Sequence, residues 1–286
     1  MNLKLLVKSA SRLFSLPEIC IKLQDLIYDP SSSSADIAKL IAIDPSLSAR
    51  LLKIANSSFY SFPSQIDELG RAINLIGTED LYNLALATSA PGAFSTLNNN
   101  ENIDINTYWR HSVMSGLIGR ALAQQCSIRH SERLFLSGLF HNLGQLVILE
   151  QLPEEFNQIE ILKTKAEKAP WEYEKDVLGY SYAEVSTELL RSWNMPNNIL
   201  ELVENQHDPS IAKEPGTASL IHISSRTASQ IEYNQLSGFD FNTTILPVAW
   251  ATTALDKTSV HTAISVAELS CQAMLSVMTG KEMKVA

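Results

Sequence analysis

The sequence predicts an all-α protein. Apolar residues recur at spacings of three and four through most of the chain, and many of these runs open on a Ser, Thr or Asp placed like a helix cap. Alternation of the kind a strand needs is scarce, and Thr243 to Val248 is its nearest case.

The first run puts Leu3, Leu6, Val7, Ala10, Leu13 and Phe14 on one side of a helix and Lys4, Lys8 and Arg12 on the other. Lys8 and Arg12 interrupt the apolar segment and no small-residue cleavage site follows. An amphipathic helix packed on the protein's own body is therefore expected, not a leader. Ser33 stands at capping-box spacing before Asp36, ahead of Ile37, Leu40 and Ile41. Asp44-Pro45 opens the next helix, because Asp caps orphan amides and Pro loses nothing at the first helical position. Its buried stripe is Leu47, Leu51, Ile54 and Ala55. Asn56-Ser57 is expected to end it and to fix the aromatic turn from Phe59 to Pro63, either as structure or as a partner contact. Gly77-Thr78 is expected to cap a helix with Glu79 and Asp80 against its positive end, stopped by Pro91-Gly92.

Ser95 to Asp104 is polar, Asn-rich and aperiodic, and reads as a loop between two helical halves. The expected division is an N-terminal half over 1–94 and a second half over 105–286 that includes a C-terminal helical extension. In the second half Thr107 is expected to cap a helix carrying Trp109, Val113, Leu117 and Ala121. Ser131 is expected to cap another, through Leu134, Phe135, Leu139 and Phe140 to near Gly144. Further helices are expected over Glu184–Trp193, Ile199–Gln206, Thr217–Gln230 and Val260–Met278.

At 286 residues, 45% of them hydrophobic, the chain can bury a sizeable core and is too apolar to be disordered. Its net charge of −9 argues against sequence-blind binding to a phosphate backbone, although a local basic pocket stays open. The apolar stretch Leu134–Leu149 contains His141, Asn142 and Gln145 and is too short for a bilayer, so no membrane span is expected. Cys20, Cys126 and Cys271 are far apart and odd in number, which fits a reduced, cytoplasmic compartment.

Two places stand out chemically. His141-Asn142 ends an apolar helix, and His111 lies on the helix before it. A histidine on one helix and a His-Asp pair on the next is how a helical metal phosphohydrolase gathers ligands: imidazoles and carboxylates hold a divalent ion, and an activated water attacks phosphorus. Of the other histidines, His130 reads as surface, His222 as core, His261 as the opening of the last helix, and His207-Asp208-Pro209 as a helix-ending turn. Glu154, Glu155, Glu160 and Glu167 read as a solvated acidic face.

The chain resembles the HDOD domain family. The resemblance rests on Ser15-Leu16-Pro17-Glu18 through Leu26, the run Ile43–Ser57, Arg71-Ala72-Ile73 with Leu75-Ile76-Gly77, and Tyr108-Trp109-Arg110-His111-Ser112. It continues through Gly138–Leu149, Leu189-Leu190, Trp193-Asn194-Met195-Pro196 and His207-Asp208-Pro209, covering roughly residues 12–230. It implies a multi-helical HD-like bundle with an N-terminal helical subdomain, related to HD phosphohydrolases, generally without their catalysis, and found in bacterial signalling and regulatory proteins.

The departures from the active enzymes set the expected mechanism. The resemblance implies a metal held by a His, a His-Asp pair and a later Asp. His111 and His141 match the histidines, Asn142 stands at the aspartate position, and Ser225 stands where the late Asp is expected. Tyr182 and Gln206 stand where some relatives carry two further histidines. A neutral amide oxygen replaces an anionic ligand poorly, and a catalytic zinc ordinarily keeps three protein ligands. A vestigial pocket of His111, His141, Asn142, Tyr182, Gln206 and Ser225 is therefore expected, with no catalytic residue, no cofactor and no metal, or at most His111 and His141 as ligands. The two histidines then read as core residues hydrogen-bonded to each other or to Asn142, with use as a ligand pocket the alternative.

Three functions follow in order. The first is a non-enzymatic signalling module acting through protein contacts. The second is a binder of a small phosphorylated, nucleotide-like ligand, with Arg110 and Arg226 as phosphate contacts. The third is an active metal-dependent phosphohydrolase with unusual ligands. The helical module and its extension use up the chain, so action in trans on a protein partner is expected.

Overall fold

The computed structural model describes residues 2–165, 167–232 and 244–280. Among these residues there is no strand, and helix follows helix from end to end. The chain forms two compact units, Met1–Ser15 with Thr96–Ile264, and Leu16–Ser95 with Ser265–Ala286.

In the first unit, α1 (Leu3–Leu13) buries Leu6, Val7 and Ala10 of its expected apolar face, and Phe14 just beyond it, whereas Leu13 is exposed. In the second unit lie α2 (Glu18–Tyr28), α3 (Ser34–Ala42), α4 (Pro45–Ala55), α5 (Leu69–Ile76) and α6 (Thr78–Ala93). Ser33 and Asp36 form the expected capping box, and the Asp44 side chain accepts from the Leu47 N–H at 2.9 Å. Asn56 closes α4 as expected. Its amide gives to the Leu52 and Ile66 carbonyls at 2.8 and 2.7 Å, and its oxygen accepts from Ile66 N–H at 2.7 Å. Within the aromatic turn Phe59 is buried and the rings of Tyr60 and Phe62 stack at 5.3 Å.

Helix α6 differs from expectation at both ends. Gly77, at φ +94°, is its N-cap and Thr78 its first residue, with no side-chain cap. That backbone region suits glycine, so the turn is made by conformation and not by a hydroxyl. Pro91 lies inside the helix, which runs to Ala93 before the Phe94 N–H bonds back to the Pro91 carbonyl at 3.2 Å. So near the end, proline costs little of the ladder.

A short 3₁₀ turn, Ser95–Asn99, lies within the expected loop, and from Thr96 the chain belongs to the first unit again. Then come α7 (Ile105–Gln125), α8 (Glu132–Phe140), α9 (Leu143–Gln151), α10 (Pro153–Lys163), α11 (Pro170–Leu178), α12 (Tyr182–Ser192), α13 (Asn197–Glu204), α14 (Pro215–Glu232) and α15 (Pro247–Thr253). The long α16 (Lys257–Thr279) gives residues up to Ile264 to this unit and those from Ser265 to the other. Pro247 opens α15, so a helix and not a strand begins within the run Thr243 to Val248, of which Thr243 lies outside the described residues.

Two caps are corrected here. Asp104, not Thr107, caps α7: its carboxylate accepts from the Asn106 N–H at 3.0 Å and from the Thr107 hydroxyl at 2.6 Å. A carboxylate one turn earlier reaches the free amides better than a hydroxyl already inside the helix. Ser131 precedes α8 in a helical conformation and makes no cap bond. The run expected to reach Gly144 is two helices, broken at His141-Asn142. Helix α12 begins before Glu184 because Ser181 and Glu184 form a capping box, with the Glu184 carboxylate taking the Ser181 N–H at 2.8 Å. Ser181→Ala is expected to lower stability by about 1 kcal/mol in urea unfolding, the ordinary cost of losing such a cap; an unchanged midpoint would show the box to be idle.

Helix α7 is buried on almost every side and packs on α8 and α14. Small residues permit the close approach: a Cβ on Gly116 would lie 2.5 Å from the Phe135 carbonyl oxygen, and one on Gly138 would lie 2.7 Å from Gly116. At the break between α8 and α9, a Cβ on Gly144 would lie 2.1 Å from the Tyr182 carbonyl oxygen. This contact presses the His141-Asn142 junction against α12.

Candidate functional site

His111 projects from the middle of α7, and His141 closes the C-terminus of α8. Their Nε2 atoms approach to 3.1 Å, and both rings are buried. The last carbonyls of a helix lack partners within it, and the His141 ring satisfies one of them: Nδ1 lies 2.6 Å from the Gly138 carbonyl and must donate to it. A neutral His141 then has Nε2 as an acceptor, so the proton between the two rings sits on His111 Nε2.

The junction is held from behind. The Gln206 amide gives to the His141 carbonyl at 2.8 Å and to the Val203 carbonyl at 3.0 Å. Ser186 Oγ takes the Gly144 N–H at 2.7 Å and lies 3.2 Å from the His141 carbonyl. The Gln206 carbonyl in turn accepts from His222 Nδ1 at 2.8 Å and from Arg226 Nη1 at 3.2 Å. His222 is satisfied at both nitrogens, since Nε2 accepts from the Leu246 N–H at 3.1 Å.

The electrostatics favour neutral imidazoles. Burial, then the neighbouring His141, push His111 down to about 3, against a pull from the Ala228 backbone. Burial takes His141 down to about 4, opposed by the Gly138 carbonyl and helped by the charge of Arg226. Burial, followed by Arg226, brings His222 to about 3. His207 falls well below its usual value through burial, and then through the charges of Arg226 and its histidine neighbours. Arg226 itself is lowered to about 9 by burial, with no carboxylate opposing.

Of the residues singled out in the sequence, the structure brings His111, His141, Gln206 and Arg226 into one buried cluster. Asn142 is at the junction, but its amide gives to Gln145, one turn along α9. Ser225 is buried and its hydroxyl turns back to the His222 carbonyl at 3.4 Å. Tyr182 is buried, with a hydroxyl that bonds nothing and the Lys163 ammonium 4.5 Å from its ring centre. Arg110, next to His111 but round the helix, is exposed. Sequence reading missed Trp171, which lies 4.8 Å from the Arg226 guanidinium and stacks on His207 at 4.5 Å. No local pattern marks it, because its helix is remote in sequence from α14.

A divalent metal does not fit this donor set. Two nitrogens 3.1 Å apart could both reach an ion at about 2.0–2.1 Å, so distance alone decides nothing. The charges decide. Two neutral imidazoles bring no negative charge, Asn142 is a neutral amide whose nitrogen gives to Gln145, and a buried guanidinium acts on His141. Among the described residues no group of three or more His, Cys, Asp or Glu side chains is placed to hold a metal.

An all-helical unit with one histidine inside a long helix and a second at the next helical junction defines an HD-like module. The HDOD domain family matches residues 13–209, and the chain belongs to that family. A protein from Shewanella amazonensis SB2B, provisionally titled a phosphohydrolase, shares the fold at a TM-score of 0.71 and 22% identity, over 95% of this chain and 96% of that one. An HDOD domain protein of unknown function from Geobacter sulfurreducens aligns at 0.64 and 20% identity, over 93% and 97% of the two chains. A Marinobacter aquaeolei VT8 protein, provisionally titled a signal transduction protein, aligns at 0.68 and 19% identity over 92% of this chain and 59% of its own. An uncharacterized protein of Treponema pallidum (strain Nichols) is 24% identical over 74% of this chain, which spans only 41% of that protein's length. No helix among the described residues is long and apolar enough to cross a membrane.

Proposed function

We propose that this chain is a non-enzymatic regulatory module of a bacterial signalling pathway, working in the cytoplasm through contacts with protein partners. The observation that carries the reading is the bonding of the buried histidine pair. The two Nε2 atoms face each other, His111 donating to a His141 whose own Nδ1 donates to the Gly138 carbonyl, and the remaining His111 Nδ1 is buried with no carboxylate bonded to it. Such a pair serves as a structural link between α7 and α8. A signalling role is in keeping with the Marinobacter aquaeolei protein that shares the fold, itself described as a signal transduction protein.

Metal analysis of purified protein is expected to find far less than one divalent ion per chain. Assays on cyclic dinucleotides and nucleotides should show no hydrolysis above a blank. Stoichiometric metal, with turnover that His141→Ala abolishes, would overturn the reading. A second reading, in which the module senses a small phosphorylated ligand, is favoured by one observation: the bonding state of Arg226.

A further inference from the structure

Arg226 reaches inward from α14 with 7% of its surface exposed. Its Nη1 end is anchored on the Gln206 carbonyl at 3.2 Å and the His222 carbonyl at 3.4 Å. Nε and Nη2, which form one edge of the planar guanidinium, are buried and bond nothing. Trp171 covers the group at 4.8 Å, and its stacking partner His207 has a buried Nδ1 that also bonds nothing. Arg120, half-buried on α7, is built differently: it pairs with Glu132 at 3.3 Å.

A buried cation normally keeps a counter-ion, because its desolvation is otherwise uncompensated. The free edge of Arg226 is the parallel N–H fork that grips two oxygens of one anion. We propose that this edge is the seat of a phosphate group, free or as a monoester, gripped by Arg226 Nε and Nη2 and by His207 Nδ1 beneath Trp171. The inference rests on the ligand-sensing reading above and gives it a location. A carboxylate has two oxygens and would leave the histidine nitrogen unbonded; a phosphate brings a third. No carboxylate acts on Arg226 itself, although the charge of Asp208 reaches the neighbouring His222.

The test is calorimetric titration of the full chain with inorganic phosphate, with adenosine monophosphate as the ester and with acetate as the carboxylate, while tryptophan emission is followed. Binding of phosphate, of the monophosphate or of both is expected, with a change in emission and no response to acetate. Binding of the monophosphate alone identifies the ester as the ligand form. Arg226→Met should weaken binding roughly tenfold or more, the loss of charge-assisted bonds. Trp171→Phe, which keeps the guanidinium, should still bind but lose the emission change. Failure of both phosphates to bind, or equal binding of acetate, overturns the proposal. Undiminished binding by a folded Arg226→Met protein overturns the seat while leaving ligand sensing intact. Should that variant not fold, an emission change that persists in Trp171→Phe overturns it instead.

Discussion

Gly144→Ala is expected to destabilise the protein by about 3 kcal/mol or more, the upper range for overpacking a closed interior. The added methyl would lie 2.1 Å from the Tyr182 carbonyl oxygen and 2.8 Å from the Val185 Cβ. Most of this obstruction is backbone, so no rotamer change relieves it, and α9 must move off α12. That movement also breaks the Gly144 N–H bond to Ser186 and shifts the junction that carries His141. Gly92→Ala is the matched control: nothing lies within 4 Å of its Cβ and it sits inside α6, so the change should be neutral or stabilising. Urea unfolding of both variants checks the pair of results. Equal midpoints for Gly144→Ala and the parent protein would refute the packing account.

Acid should destabilise the protein from about pH 6.5 downward, well above the range in which surface carboxylates titrate. His111 and His222 titrate at about 3 in the folded state and His141 at about 4, against 6.5 when exposed. Between those values the unfolded chain binds protons that the folded one refuses. Stability is therefore complete above pH 6.5 and is lost as the pH falls toward the folded values. Each such histidine contributes about 1.4 kcal/mol per pH unit in that window, or on the order of 2 kcal/mol at pH 5. The pair His111–His141 shares one bonded proton, so its members do not act independently. Glu174 works in the opposite direction, because burial raises its carboxyl against the pull of Lys163, and it offsets part of the loss. Urea midpoints measured from pH 7.5 to 5.0 should fall steadily; a flat profile would mean that the buried histidines charge without penalty.

Much of the helical plan was legible. Ser33 with Asp36 and Asp44 with Pro45 announce caps that form as written, because both ends of each bond lie within three residues of each other. Of the caps that differ from expectation, those at Thr78 and Thr107 are places where a hydroxyl competes with a stronger local device, a glycine at positive φ or an aspartate one turn earlier, whereas Ser131 is itself helical and makes no cap bond. The box at Ser181 and Glu184 is written in the sequence as a Ser three residues before a Glu, and it starts the helix earlier than the expected Glu184. The polar pair His141-Asn142 marked the end of one helix, but the apolar residues beyond it did not announce that a second helix starts at once at Leu143.

The sequence by itself determined the all-α class and the HDOD resemblance, and with that resemblance came the expectation that His111, His141, Asn142 and Ser225 stand at ligand positions. These are properties of residue type and local spacing. Only the tertiary structure decided which way those groups face: the histidines toward each other, Asn142 toward Gln145, Ser225 back to its own helix. It also decided that Arg226 is buried under Trp171 with one edge unbonded, while Arg110 is exposed. The reason is physical. Hydrogen-bond direction and desolvation depend on neighbours from α7, α8, α11 and α14, and no pattern within one helix records what another presses against it.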